Sequence, residues 1–194
     1  RGSRHIEVWE STDLVHWGQQ RHVLVSPPEA GNTWAPEAFW DDALGQYVVF
    51  WASKLYAAND PDHTGNTYNR MMYATTRDFV TFSEPQVWID EKRGNGLGMI
   101  DSSIVEHEGT YYRFTKDEAY MIPRLEKSTD LRSSPEYGER RNAKSSPRFP
   151  PCHAKRRSAS SAPPPRSTKA SSRPSGIRAM PASIQASIGM PTMR

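Results

Sequence analysis

The sequence predicts an all-β chain, and three observations carry that expectation. Almost no helical apolar periodicity appears in residues 1–131. Short alternating runs of aromatic and β-branched residues take its place, set between Gly, Asp and Pro turn signals. Two phrases then repeat in alternation along the chain, the mark of a repeated supersecondary unit.

The first phrase is "WESTDLVHW" at 9–17, which returns as "ATTRDFVTF" at 74–82 and as "EKSTDL" at 126–131. Its aspartates, Asp13, Asp78 and Asp130, stand 65 and 52 residues apart. An Asp so placed bonds its own backbone a few residues on and makes a polar turn. The second phrase is "WDDALGQYVVFWAS" at 40–53, matched by "VEHEGTYYRFTKD" at 105–117, with Gly45 and Gly109 64 residues apart. An acidic turn, then Gly, then alternating aromatic and β-branched residues is a hairpin leading into a buried strand. "RMMYATTRDF" reads as a further strand that the Asp78 turn closes. The unit is therefore strand, tight turn, strand, longer loop, strand, polar turn. Units of ~50 residues suggest propeller blades, each four-stranded and stacked face to face around a channel. A β-sandwich also repeats hairpins and is the alternative.

Composition divides the chain. Residues 1–131 hold 12 Lys/Arg against 20 Asp/Glu, while residues 132–194 hold 13 against 2. All six tryptophans precede residue 132, and the remainder has only Tyr137 and Phe149 as aromatics, with ten of the sixteen prolines. A core must therefore come from residues 1–131, and 132–194 reads as a basic, Pro/Ser/Arg-rich low-complexity tail without the apolar surface to order itself. Such a tail could act as a nucleic-acid-binding arm, but stacking aromatics are absent after Phe149. The reading preferred here is a shifted frame, since Ser, Pro, Arg and Ala dominate and the change falls abruptly after the third "STDL" phrase. No nucleic-acid partner is expected.

One cysteine, Cys152, excludes an intrachain disulfide. No apolar run approaches the ~20 residues of a membrane helix, so no membrane partner is expected. "RGSRHIEVWE" has neither an initiator methionine nor a signal-peptide pattern, and the chain reads as beginning inside a domain. Localisation and oligomeric state are not set by these residues.

Most carboxylates, among them Asp41, Asp42, Glu106 and Glu108, suit solvated hairpin turns. Asp101 does not. Met99-Ile100 before it and Ile104-Val105 after it make it a charge inside an apolar strand. A buried lone carboxylate is costly unless it is paired or used. Glu37, in "WAPE", is a second candidate or else a strand-end bond.

Together, "WESTDLVHW", "WAPEAFWDDALGQYVVFWAS", "TTRDFVTFSEPQVWID", "IDSSIVEHEGTYYRFTKDE" and "EKSTDL" resemble glycoside hydrolase family 43, in order over residues 3–131. The resemblance implies a five-bladed β-propeller, of which this chain would supply two to three blades. It also implies inverting hydrolysis of arabinose- or xylose-containing glycans by three carboxylates: a base Asp, an acid Glu and an Asp that tunes and orients the acid. Asp101 matches the tuning Asp, and Trp34 the position that lines the sugar site. Glu37 is expected to make a polar contact to the sugar. Lys116 and Glu118 are further candidate contacts, or a surface pair. No cofactor is required, though the family allows a structural calcium in the channel of the intact protein. Two departures stand out. The family's base lies upstream of residue 1. Its acid belongs to a Glu-Gly-Pro motif that does not follow residue 131, and Glu136 and Glu139 sit in a different context. The chain as written is therefore expected to be an inactive fragment. A non-catalytic glycan-binding propeller is the other reading.

Overall fold

The computed structural model describes residues 2–133 and the backbone of a strand at 138–142. The expectations for the rest of the basic tail lie outside the described residues. The described residues all lie in one compact unit.

The described residues form ten strands and no helix. The short ribbon of β1 (His5–Val8) and β2 (Arg21–Leu24) is antiparallel. Four strands then form an antiparallel meander: β3 (Trp34–Asp41), β4 (Gln46–Lys54), β5 (Asn69–Thr76) and β6 (Gln86–Ile89). A second meander holds β7 (Met99–His107), β8 (Thr110–Asp117), β9 (Ile122–Ser128) and β10 (Gly138–Asn142). The all-β expectation is met, and each meander is a four-stranded sheet of the kind that makes a propeller blade. The second is completed by β10, which lies beyond the composition break at residue 131.

Two apolar clusters make these sheets into a stack. Val49, Trp51, Met72 and Ala74 on one face of the first meander pack with Ile6, Val8 and Val25 of the ribbon side. Val48, Phe50, Ala52 and Met71 on the other face pack with Met99, Ile104 and Leu131 of the second meander. β4 is covered on both faces, so Val48 through Ser53 are all buried. A strand so covered reads as an unbroken apolar run instead of an alternation.

The repeated phrases are local devices that hold the strand ends. In the Asp78 turn, Thr76 Oγ1 accepts the Phe79 N–H at 3.0 Å, while Asp78 Oδ1 accepts those of Val80 and Thr81 at 2.8 Å each. Ser11 and Asp13 do the same for Leu14, Val15 and His16. Ser128 Oγ takes the Asp130 N–H at 3.0 Å, and Asp130 Oδ1 that of Arg132 at 3.0 Å. The β7–β8 hairpin turns through Glu108 (φ 51°) and Gly109 (φ 74°), the left-handed pair of a two-residue hairpin. Asp41 and Asp117 open two matching four-residue turns, with Gly45 (φ 61°) and Met121 (φ 54°) in the same left-handed place.

β8 departs from the sequence expectation. Its buried residues are Arg113, Thr115 and Asp117, while Phe114 is 41% exposed. The buried set is satisfied by partners from other strands and loops. Arg113 binds Glu126 Oε2 through Nε (3.1 Å) and a terminal nitrogen (2.9 Å), and its guanidinium lies 4.5 Å from the Trp88 ring centre. Arg124 binds Glu126 Oε1 at 3.1 Å and grips Glu91 with both terminal nitrogens, at 2.7 and 3.1 Å. Arg93 Nε binds Asp117 Oδ2 at 2.8 Å. Charges alternate along this chain of groups, which clamps β8 and β9 to the segment that leads into β7.

Candidate active site

The first strands of the two meanders, β3 and β7, carry the same irregularity near their starts. On β3, Trp34 pairs with Ala52 and Glu37 with Phe50, so Ala35 and Pro36 oppose Trp51 alone. On β7, Ile100 pairs with Lys116 and Ser103 with Phe114, so Asp101 and Ser102 oppose Thr115 alone. Each is a β-bulge, which re-aims a side chain and interrupts pairing. Ala35 (φ 46°) and Asp101 (φ 52°) occupy the same bulge position in a left-handed conformation.

That conformation changes the reading of Asp101. It is not a buried strand charge: its side chain is 45% exposed, turned out by the bulge while Ser102 beside it is buried. Lys116 Nζ lies 3.4 Å from Asp101 Oδ2, across the strand pair. Lys116 and Glu118 do not pair with each other. Glu118 turns to the loop instead, accepting the Gly98 N–H at 2.7 Å and both contacts from Asn69 Nδ2, at 3.2 and 3.3 Å.

Asn69 is fully buried and also accepts from Asn32 Nδ2 at 3.2 Å. Asn32 in turn donates to Ala52 O at 3.1 Å and accepts the Lys54 N–H at 3.0 Å. The relay Asn32–Asn69–Glu118–Gly98 joins the segment before β3 to the segment before β7. Trp34 and Asp101 begin from its two ends, so they share one end of the stacked sheets. Sequence reading passed over this relay, because its members are pairs formed across 20 to 49 positions of chain.

Trp34 is 42% exposed. Glu37 is exposed, yet neighbouring atoms desolvate its carboxyl enough to raise its pKa, against the opposing pull of a hydrogen bond with Ser103. That bond links the matching positions of the two bulges, side chain to side chain. The structure thus connects Glu37 to the Asp101 strand through Ser103 and places Trp34 on the same bulge as Glu37. Among the described residues, no three of His, Cys, Asp or Glu converge as metal ligands.

Residues 1–152 match a family model described as a probable glycosyl hydrolase domain, related to glycoside hydrolase family 43. The chain belongs to this glycoside hydrolase family. It is also 45% identical over 129 residues to an alpha-L-arabinofuranosidase of Bifidobacterium longum subsp. longum, covering 60% of this chain and 12% of that protein. The chain therefore spans about an eighth of the length of that curated relative. No solved structure gives a significant match.

Proposed function

We propose that these residues form part of a glycosidase domain that acts by inversion on arabinose- or xylose-containing plant polysaccharides or oligosaccharides, releasing α-L-arabinofuranosyl or β-xylosyl units. The observation that carries this is the paired bulges, which bring an exposed indole and an ion-paired carboxylate to one sheet end in a chain of this family. Family relationship and the arabinofuranosidase similarity support the sugar class.

In this reading Trp34 lies against the C–H face of the bound sugar, and Glu37 accepts from a sugar hydroxyl. Asp101 is the anion that orients the general acid and keeps its proton, because a like charge nearby disfavours ionisation. Lys116 holds that carboxylate in place. Inverting chemistry sets base and acid roughly 6.5–9.5 Å apart with a water between, a gap that separate blades facing one axis can provide. Both of those groups come, by the family pattern, from other parts of a whole propeller of five blades.

The chain as written is accordingly expected to show no turnover of nitrophenyl arabinofuranoside or xyloside, and measurable hydrolysis would refute that expected inactivity. In an enzyme that includes the whole domain, Asp101→Asn should lower kcat by about 10² or more, since acid catalysis alone contributes that much. Unchanged kcat would remove Asp101 from the site. A glycan-binding propeller without hydrolysis would keep the Trp34 contact and show binding with no turnover even in the whole domain.

A further inference from the structure

We propose that the β4–β5 loop forms a preformed subsite for a neutral glycosyl unit lying beyond the one that is cleaved; the proposal rests on the glycan reading above. The two meanders differ most at this loop. β4 and β5 are joined by residues 55–68, whereas the matching β8–β9 connection is only residues 118–121. A connection of that length without regular structure is uncommon in a compact domain and is usually functional.

The longer loop encloses a depression of about 410 Å³, lined by Tyr56, Asp60, Thr64, Asn66 and Thr67 among others. That size falls within the ~300–1,000 Å³ typical of small-molecule sites. Its walls are fixed by bonds within the loop and to its neighbours. Thr67 Oγ1 donates to Leu55 O at 2.6 Å, closing the loop base, and the Tyr56 N–H reaches Glu29 O at 2.9 Å. The Tyr56 ring lies parallel to His63, 4.5 Å between centres and 4° between planes, so its orientation is set before any ligand arrives. Asn66 bonds Asn95 in the segment that leads through Gly98 to Asp101. The depression therefore lies beside that approach, at the end of the sheets where Trp34 stands.

Its lining is mostly uncharged. Asp60 is the single charged group among the lining residues, and its carboxylate is engaged by the loop itself. Oδ1 accepts from the Thr64 N–H (3.1 Å) and hydroxyl (3.2 Å), and Oδ2 from the Gly65 N–H (2.8 Å). The other lining groups are a fixed phenol ring, an amide and hydroxyls, with Leu55 and Ala57 as apolar wall. Those groups match a sugar ring, which has an apolar C–H face and a rim of hydroxyls.

The test is a titration of the 194-residue chain with arabinotriose and with xylotriose, followed by amide NMR shifts. One of the two should shift the amides of residues 56–67 saturably. Tyr56→Ala should weaken that binding about tenfold or more, the loss of ~1.4 kcal/mol, while Tyr56→Phe stays within about twofold and Asn66→Ala falls between. If Tyr56→Ala loses its dispersed spectrum, Asn66→Ala decides. Shifts by neither sugar, shifts confined elsewhere, or a folded Tyr56→Ala that binds equally would each overturn the subsite. Hydrolysis by the whole domain without binding here would leave the glycosidase reading standing alone. Binding here without hydrolysis by the whole domain would overturn that reading and leave the subsite.

Discussion

Replacing Glu126 by Gln should be among the most damaging single changes in this chain. Glu126 is 4% exposed at its side chain and answers two guanidiniums at once, Arg113 at 1% and Arg124 at 6% exposure. Gln keeps the shape and one acceptor oxygen, but it leaves two buried positive groups facing each other across a neutral amide. Removing one member of a buried pair costs about 3–5 kcal/mol, because the remaining charge stays desolvated. Arg124 retains its bidentate hold on Glu91, which argues for the lower half of that range. With a urea m-value of roughly 2 kcal/mol/M, the unfolding midpoint should fall by about 1.5–2 M. Urea is the denaturant to use, since a salt would itself screen the charges. Tryptophan fluorescence reports the transition directly, because Trp88 lies 4.5 Å from the Arg113 guanidinium. The double variant Arg113→Met with Glu126→Gln should recover at least half of the loss, as it removes one of the two buried guanidiniums that share the Glu126 carboxylate. A midpoint shift under about 0.5 M for Glu126→Gln, at unchanged m, would refute the claim that this network is held by charge.

Three other outcomes follow from single positions. Gly98→Ala would bring a Cβ to 1.9 Å from the Asn69 carbonyl oxygen, so the β7 start must move; a loss of at least ~3 kcal/mol in urea unfolding is expected. The Asp78 carboxyl is held below its ordinary 3.8 by the Thr81 and Val80 N–H groups, so its contribution is complete above that pH and disappears as pH falls through the lower folded value. Thermal melts of wild type and Asp78→Ala should accordingly converge on acidification below about pH 3.8, and a constant gap would sink the linkage. Met121→Gly relieves a left-handed non-glycine at φ 54° on an exposed turn, and should be neutral to stabilising by up to ~1 kcal/mol in the same assay.

The parts of this fold that could be read from sequence are those made by near neighbours. Asp78 reaches the amides two and three residues ahead, and Glu108-Gly109 close a hairpin on themselves, so a repeated phrase was enough to mark each turn. β4 was likewise legible as a buried strand following its hairpin, though not as one covered on both faces. β8 gave the opposite impression: its aromatics suggested the buried face, while Arg113, Thr115 and Asp117 fill it. Glu126, Ser102 and Arg93 help make that burial tolerable, and none of them is close in sequence. Asp101 was singled out for the wrong physical reason. A bulge is a property of the register between two strands, so the sequence of β7 alone could not show that Asp101 turns outward. Trp34 and Glu37 were legible as a candidate lip, but their link to β7 runs through Ser103, which carried no signal of its own.

The bulge itself has an evolutionary reading. One backbone socket occurs twice, filled by Ala35 in the first meander and by Asp101 in the second. Asp and Asn adopt left-handed backbone more readily than Ala does, so the socket accepts a carboxylate without asking anything new of the chain. Reactive groups in such a repeat can be gained, lost or moved between sheets by one codon change, while the scaffold stays still. Ala35→Asp would place a second carboxylate at the same end, so a repeat of the meander is also a repeat of a socket ready for an acidic side chain.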